Sequence, residues 1–589
     1  MTTMKFKIRI PLVFSICLFV LLLATACKKN SPPAQKVTPY PVTTDSTYSP
    51  VDPSPSATIG FFGNGWTGKT FSAPTDTIVT GGSTIDATDS LLIDVNNVLV
   101  KAPPLIYGNN SNLWMGQIVT QPALMQYIND LSPNIIRAPA GSISDVYFWN
   151  GTAANPTPSD APAQVYTSGT LGSIGQWYGG NTGPGTLSLA NYYNLLAQTN
   201  STGIITVNYG YARYGLGVSP VDSAAHLAAN WVRYDNGRTK FWEIGNETYG
   251  SWEAGFQIDT SVSQDHQPVI QTGALYGQHV NVFADSMRAA AQETGATIYI
   301  GATLYATQPQ PTDDTTVQNW NKGVLSNVGN GADYYIIHDY FTAYATNSTV
   351  PQILGTGLTE VPSDLSFLSQ QLQTYSATTK PIAMTEWNIQ ATGSKQNTSY
   401  IAGMHAALTL GSFIQNKLGE ASRWDLANGY ANGDDQGMFN IGDEPNAPLW
   451  NPRPAFYYMY YFQKFFGDRM VADTVRRPLF NYDLTTYCST FTSGQAGAVI
   501  INSGMYNHVL AIDFQHFPAG AKYHWYILTG GTDNTPFSSQ VYVNGIGPAT
   551  PTGGPLNYSS IKPYAATLKG TIKIFVPPYS VIYLVADSK

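Results

Sequence analysis

Two glutamates in this chain of 589 residues stand where strand-like apolar runs stop. Glu247 closes the run Phe241-Trp242-Glu243-Ile244-Gly245-Asn246-Glu247, and Glu386 closes Pro381-Ile382-Ala383-Met384-Thr385-Glu386. A carboxyl group at the end of a buried run needs a reason to be there. Two of them on one rim can flank a glycosidic bond. In a retaining hydrolase they stand about 5–5.5 Å apart, one as acid/base and the other as nucleophile. Rival chemistries leave no comparable trace. The eight histidines are scattered, with neither His-Glu-x-x-His nor Cys-x-x-Cys spacing for a metal. No Gly-x-Ser-x-Gly elbow and no phosphate-binding loop occurs. Neither cofactor nor metal is expected.

The elements that must carry these groups can be read from the pattern. Between 101 and 460, short apolar strands alternate with longer helical segments, as in a parallel sheet built of βα units. Strands are read at 105–109, 134–137, 203–208, 240–245, 297–301, 334–338, 381–385 and 421–424, with helices at 222–234 and 276–293 among those between. About eight units fit, so the spacing predicts a (β/α)8 TIM barrel, an α/β fold whose active sites lie on the loops where strands end. Residues 461–589 read as short strands separated by Gly, Pro and Asn, a C-terminal all-β sandwich domain. The strands near 57–100 are expected to join it. The stretch 574–584 is read as strand.

Asn246-Glu247 at the end of the fourth strand and Glu386 at the end of the seventh resemble the mark of the clan A retaining glycoside hydrolases. The wording is most similar to family 51, the α-L-arabinofuranosidases. Trp242-Glu243-Ile244-Gly245-Asn246-Glu247 with Gly250-Ser251-Trp252, Asn230-Trp231-Val232-Arg233-Tyr234, Glu386-Trp387-Asn388 and Pro577-Pro578-Tyr579-Ser580-Val581 carry it. The family's Pro-Gly-Gly run after the second-strand arginine is replaced by Ala138-Pro139-Ala140-Gly141-Ser142, and 150–190 reads as an inserted segment that would shape substrate choice. Families 79, 30 and 39 and several endo-glycanases share the layout. The resemblance implies that Glu247 is the acid/base, Glu386 the nucleophile, and that Asn246 bonds the sugar 2-hydroxyl.

Other rim residues follow. Arg137 is expected either to bond Glu386 and favour its charged form or to serve barrel packing. His338 and Tyr340 end the sixth strand; in the clan a tyrosine there touches the nucleophile, while His338 also fits a satisfied core histidine. Trp424, ending the eighth strand, is placed to floor a sugar subsite. Asn109, at the end of the first strand, and Trp387 complete the expected substrate-binding set. Trp114, Trp149, Trp252 and Trp387 each read as core or as sugar platform. Glu243 is read as structural, and Asp425, Asp434 and Asp435 as solvated loop charges.

Composition agrees with this chemistry without proving it. Charged residues make up 11% against roughly 25% in an ordinary domain, and aromatic residues 13%. A neutral, aromatic surface suits polyhydroxylated ligands, and equally a loop-rich exported protein. The net charge of −8 and the lack of basic patches beyond the first 30 residues argue against nucleic acid. Lys5, Lys7 and Arg9 precede an apolar run at 10–23, then Ala24-Thr25-Ala26-Cys27. Residues 1–27 resemble a bacterial lipoprotein signal peptide, with lipidation at Cys27. The Pro/Ser/Thr-rich residues 28–56 read as a tether. The expected partners are thus a polysaccharide or oligosaccharide and a membrane, through the lipid, at a bacterial outer membrane or cell surface. A non-catalytic glycan-binding lipoprotein is the rival class. Cys488, the remaining cysteine of the body, is read as a buried, inert thiol.

Overall fold

A computed structural model describes residues 37–40, 47–54, 60–79, 85–477 and 483–589. Cys27 and the signal segment lie outside the described residues, as does most of the tether.

Eight parallel strands close a barrel: Gly108–Asn110, Ile135–Ala138, Thr202–Val207, Phe241–Ile244, Tyr299–Thr303, Tyr334–Asp339, Ile382–Trp387 and Glu420–Arg423, here barrel strands one to eight. The eighth returns to the first, with Ser422 opposite Gly108 and Arg423 opposite Asn109. Every residue of strands one, two, four and eight is buried. Helices cover the outside and side chains fill the inside, so these strands read as continuous runs and not as alternations.

Each strand is followed by a helix, and the helix ends are chemically marked. Ser188, Thr272, Asp314 and Ser399 accept the backbone N–H three residues on, and Thr349 with Gln352 forms a capping box. Each such cap contributes about 1 kcal/mol. Helix Tyr400–Gln415, after strand seven, is buried over its whole length except its last residue. It is wedged between the barrel and the second domain. Gly411 makes that fit possible: a Cβ there would come within 2.1 Å of the Tyr487 ring, whose hydroxyl donates to the Leu408 carbonyl at 3.0 Å. The last barrel helix, Pro454–Phe465, carries the helical part of the chain to residue 465.

The second domain is built on an eleven-stranded sheet. Strand Asp89–Lys101 belongs to it, antiparallel to Arg469–Arg476 and parallel to His508–Gln515. One face packs into a core of its own through Leu91, Ile93, Ile500, Ile512, Leu584 and Trp525. The opposite face of the central strands presents Tyr487, Val499, Ile501, Tyr526 and Tyr583 to the barrel's core. The stretch 574–584 is two strands, Ile572–Val576 and Ser580–Ser588. Pro577 and Pro578 lack the N–H groups that a continuous ladder would use. Cys488 is buried on strand Leu484–Thr490.

Candidate active site

The site is assembled around one buried guanidinium. Arg137, on strand two, is fully buried. Its Nε donates to Glu243 Oε2 at 2.6 Å, Nη1 to Glu386 Oε1 at 2.7 Å and to Asn110 Oδ1 at 3.1 Å, and Nη2 to Asn246 Oδ1 at 2.8 Å. One side chain thereby ties together strands one, two, four and seven. The two carboxylates beside it raise its pKa against the opposing effect of burial. Glu243 also accepts from Thr206 Oγ1 at 2.9 Å. It is the counter-charge that lets Arg137 sit in the barrel interior.

Glu386 is held at both oxygens. Oε1 takes the Arg137 bond, and Oε2 accepts from the Tyr340 hydroxyl at 2.7 Å. Its side chain is 4% exposed, against 18% for that of Glu247. Glu386 is therefore locked in the floor, whereas Glu247 is open to whatever enters the mouth. Glu247 accepts from Tyr249 Oη at 3.2 Å and from Trp252 Nε1 at 2.9 Å. His338 Nδ1 stands 3.1 Å from Glu247 Oε1 and 3.8 Å from Glu386 Oε2, and its Nε2 stands 3.1 Å from Thr385 Oγ1. While Glu247 is ionised and accepts only, Nδ1 must carry the proton of that bond. Burial pushes the Glu247 carboxyl up, but the bond and charge of His338, with the Trp252 and Tyr249 bonds, outweigh it and leave the pKa below the ordinary value.

Glu247, His338 and Glu386 each offer one ligand atom, and these three atoms lie within 4.8 Å of one another. An oxygen of one glutamate is therefore no more than that distance from an oxygen of the other.

The local sequence explains this placement. Gly245 has φ +75°, and a Cβ there would meet Thr248 at 2.5 Å and Tyr209 at 2.7 Å, so only glycine turns the chain directly before Asn246-Glu247. The Asn246 amide lies between Arg137 and Glu253, donating to Glu253 Oε1 at 2.8 Å. Asp145 accepts the backbone N–H of Asn246 at 3.2 Å, and also those of Tyr209 at 3.1 Å and Gly210 at 3.0 Å. Trp424 is 8% exposed at the end of strand eight, 5.9 Å from Trp114 between ring centres. Its ring lies over Gly141, where a Cβ would come to 2.7 Å.

Arg137, Asn246, Glu247, His338, Tyr340 and Glu386 thus share one bonded cluster, with Trp424 at the rim. Two expected substrate-binding residues do not join it. Asn109 is buried, with its Oδ1 unpartnered; the neighbouring Asn110 bonds Arg137 and donates to the Thr385 carbonyl at 2.9 Å. Trp387 packs edge-on against Phe413 of the wedged helix, 5.3 Å away at 82°. The reason is the same for both: successive side chains of a strand point to opposite faces. Asp425 is no solvated loop charge either. It is buried and accepts from Asn112 and, at 3.1 Å, from Asn428, and burial beside Asp435 pushes its carboxyl well up. Asp435 pairs with Arg453, and burial puts its pKa at about 6. Asp434 accepts the Gly393 N–H at 2.7 Å.

Of the four tryptophans in doubt, Trp252 is 43% exposed beside Glu247, whereas Trp149 stacks on Trp231 at 5.9 Å. Sequence reasoning missed Asn110, Asp145, Thr385 and Glu253. Glu253 left one faint signal, an acid directly after Trp252 in the same loop. The segment 150–190 contains a hairpin of Gln164–Thr167 and Thr170–Ser173, and Ser168 N–H donates to the Ser251 carbonyl at 2.7 Å. The insertion therefore touches the loop that bears Trp252.

A closed barrel with this β domain is a fold shared with solved glycoside hydrolase structures. No family model and no curated protein sequence matches the chain. The α-L-arabinofuranosidase from Thermotoga maritima, solved with arabinose, superposes with a TM-score of 0.59 at 15% identity, covering 84% of this chain and 99% of that one. The family 51 arabinofuranosidase from Xanthomonas axonopodis pv. citri gives 0.57 at 15%, over 85% and 100%. A family 44 xyloglucanase from Paenibacillus polymyxa gives 0.54 at 13%, again over 85% and 100%. At these identities the likeness is one of fold.

Proposed function

We propose that the protein is a retaining glycoside hydrolase acting on polysaccharide or oligosaccharide chains. The carrying observation is the approach of Glu247 and Glu386 oxygens to within 4.8 Å at the ends of strands four and seven. That proximity suits the retaining arrangement, in which the two carboxyl groups stand about 5–5.5 Å apart.

In the first step Glu386 attacks the anomeric carbon while Glu247, in its protonated form, gives its proton to the departing glycosidic oxygen. In the second step Glu247 takes a proton from water as that water displaces Glu386. Arg137 and Tyr340 aim the Glu386 carboxylate and leave lone pairs free for attack. The openness of Glu247 fits its exchange with leaving group and water. Asn246 donates to the hydroxyl beside the reacting carbon. α-L-Arabinofuranosides are the first substrates to test, on the motif resemblance and the fold shared with arabinofuranosidases. We also propose, from the sequence of residues 1–56, that the body is held at a membrane by lipid on Cys27; labelled fatty acid should enter the wild type and not Cys27→Ala.

The experiment is a hydrolysis screen of the soluble body with aryl α-L-arabinofuranoside, β-D-glucuronide, β-D-glucoside, β-D-xyloside and β-D-galactoside, and with polysaccharides, beside Glu386→Ala. Turnover that the variant loses supports the reading. Binding of polysaccharide without turnover would replace it with the glycan-binding class.

A further inference from the structure

We propose that Glu253 is a positioning residue: it fixes the side-chain amide of Asn246 so that one N–H stands ready for the sugar hydroxyl beside the reacting carbon. This rests on the glycosidase reading above and adds to it a residue outside the reacting pair.

Glu253 is fully buried in the loop that follows strand four. Its Oε1 accepts from Asn246 Nδ2 at 2.8 Å and from Ser142 Oγ at 2.9 Å. On the other side of the same amide, Oδ1 accepts from Arg137 Nη2 at 2.8 Å. The amide is thus read at both ends. Reversed, it would turn N–H groups toward a guanidinium, which accepts nothing, and its oxygen toward the oxygen of Glu253. A primary amide has two N–H groups, and Glu253 takes one of them.

The backbone of the same asparagine is fixed separately. Asp145 accepts its N–H, and Asp145 and Ser142 belong to one short turn, Gly141–Val146, after strand two. Two acids therefore address one residue, Asp145 at the main chain and Glu253 at the side chain. The groups around Glu253 also show which form it takes. Burial pushes its carboxyl well above the ordinary value, and Asp145 and Glu247, when ionised, push it further. Its Oε2 is buried without a hydrogen-bond partner. A neutral acid in this place presents Oε1 as a carbonyl acceptor for two donors. An apolar side chain in its place would leave the Asn246 amide N–H and the Ser142 hydroxyl without their acceptor. Glu253 thereby holds the amide in one orientation.

The test compares the wild type with Glu253→Gln and Glu253→Met. Substrates are 4-nitrophenyl α-L-arabinofuranoside and β-D-glucoside, each beside its 2-deoxy counterpart, with kcat and KM measured separately and crystal structures of both variants. The Gln variant keeps the acceptor and is expected to keep the wild-type preference for the 2-hydroxy substrate. The Met variant is expected to lose about 10²-fold in kcat on the 2-hydroxy substrate, the scale of a small misplacement at a reacting centre. It should slow the 2-deoxy substrate far less and show the Asn246 side chain displaced. Equal slowing of both substrates by Met, an unmoved Asn246, or a Gln variant that behaves like Met would overturn the proposal. If the wild type cleaves none of these substrates and none of the wider screen, the glycosidase reading is what fails; the position of Asn246 in the Met crystal structure still decides whether Glu253 orients it.

Discussion

Replacing Arg137 by methionine removes a cation that four barrel strands share while leaving its acceptors behind. Glu243 and Glu386 would then be buried carboxylates without a counter-charge, and Asn110 and Asn246 would each lose a donor. Removing one partner of a buried ion pair costs about 3–5 kcal/mol. The expected loss is therefore about 3–5 kcal/mol. For a body this size the melting entropy is on the order of 1 kcal/mol/K, so Tm should fall by about 3–5 °C. Calorimetry at pH 7 measures it. Arg137→Met with Glu243→Gln should recover at least a third of the loss, because the double variant buries one charge fewer. A fall below about 1 °C, or a double variant no more stable than the single one, would refute the claim that Arg137 is held by buried charges.

Tyr340→Phe deletes the donor on Glu386 Oε2. A hydrogen bond to a charged group is worth about 1.5–3 kcal/mol, so kcat on an aryl glycoside should drop roughly tenfold or more with the fold intact by circular dichroism. Trp252→Phe removes the 2.9 Å bond to Glu247. The pKa of Glu247 then rises, and the basic limb of the pH profile of kcat/KM should move upward by up to about 1 unit; a downward shift would contradict its role as acid. Stability should fall as pH climbs from about 4.5 toward 8, since buried acids with raised pKa values keep protons that the unfolded chain has released. Burial puts Asp145 at about 7, and burial together with the charge of Glu243 puts Glu420 at about 8. Each contributes a slope of up to about 1.4 kcal/mol per pH unit in its window, read as Tm between pH 5 and pH 9, and Glu420→Gln should flatten the curve.

The barrel was legible because most of its strands are short, largely buried apolar runs between amphipathic helices, and because strand ends carry the chemistry. Asn246, Glu247 and Glu386 could be picked out because a polar residue closing such a run stands against its surroundings. Facing direction was harder to read. Asn109 against Asn110, and the outward turn of Trp387, hang on a register of one residue that apolar pattern does not fix where both faces are buried. The buried acids were hidden for a different reason. Asp145, Glu253, Asp425 and Asp435 lie in loops, where an acid ordinarily meets water. Only the tertiary structure reveals the backbone N–H groups, amides and arginine that receive them.

The most direct measurement is azide rescue of the two alanine variants, with the product anomer assigned by NMR on an activated aryl glycoside. With Glu386→Ala, azide should restore turnover and give a glycosyl azide of inverted configuration, since it enters from the face that Glu386 vacates. With Glu247→Ala it should give the retained azide, since it intercepts the sugar already bound to Glu386. The same anomer from both variants, or undiminished hydrolysis by Glu386→Ala, would contradict the assignment of Glu386 as nucleophile and Glu247 as acid/base.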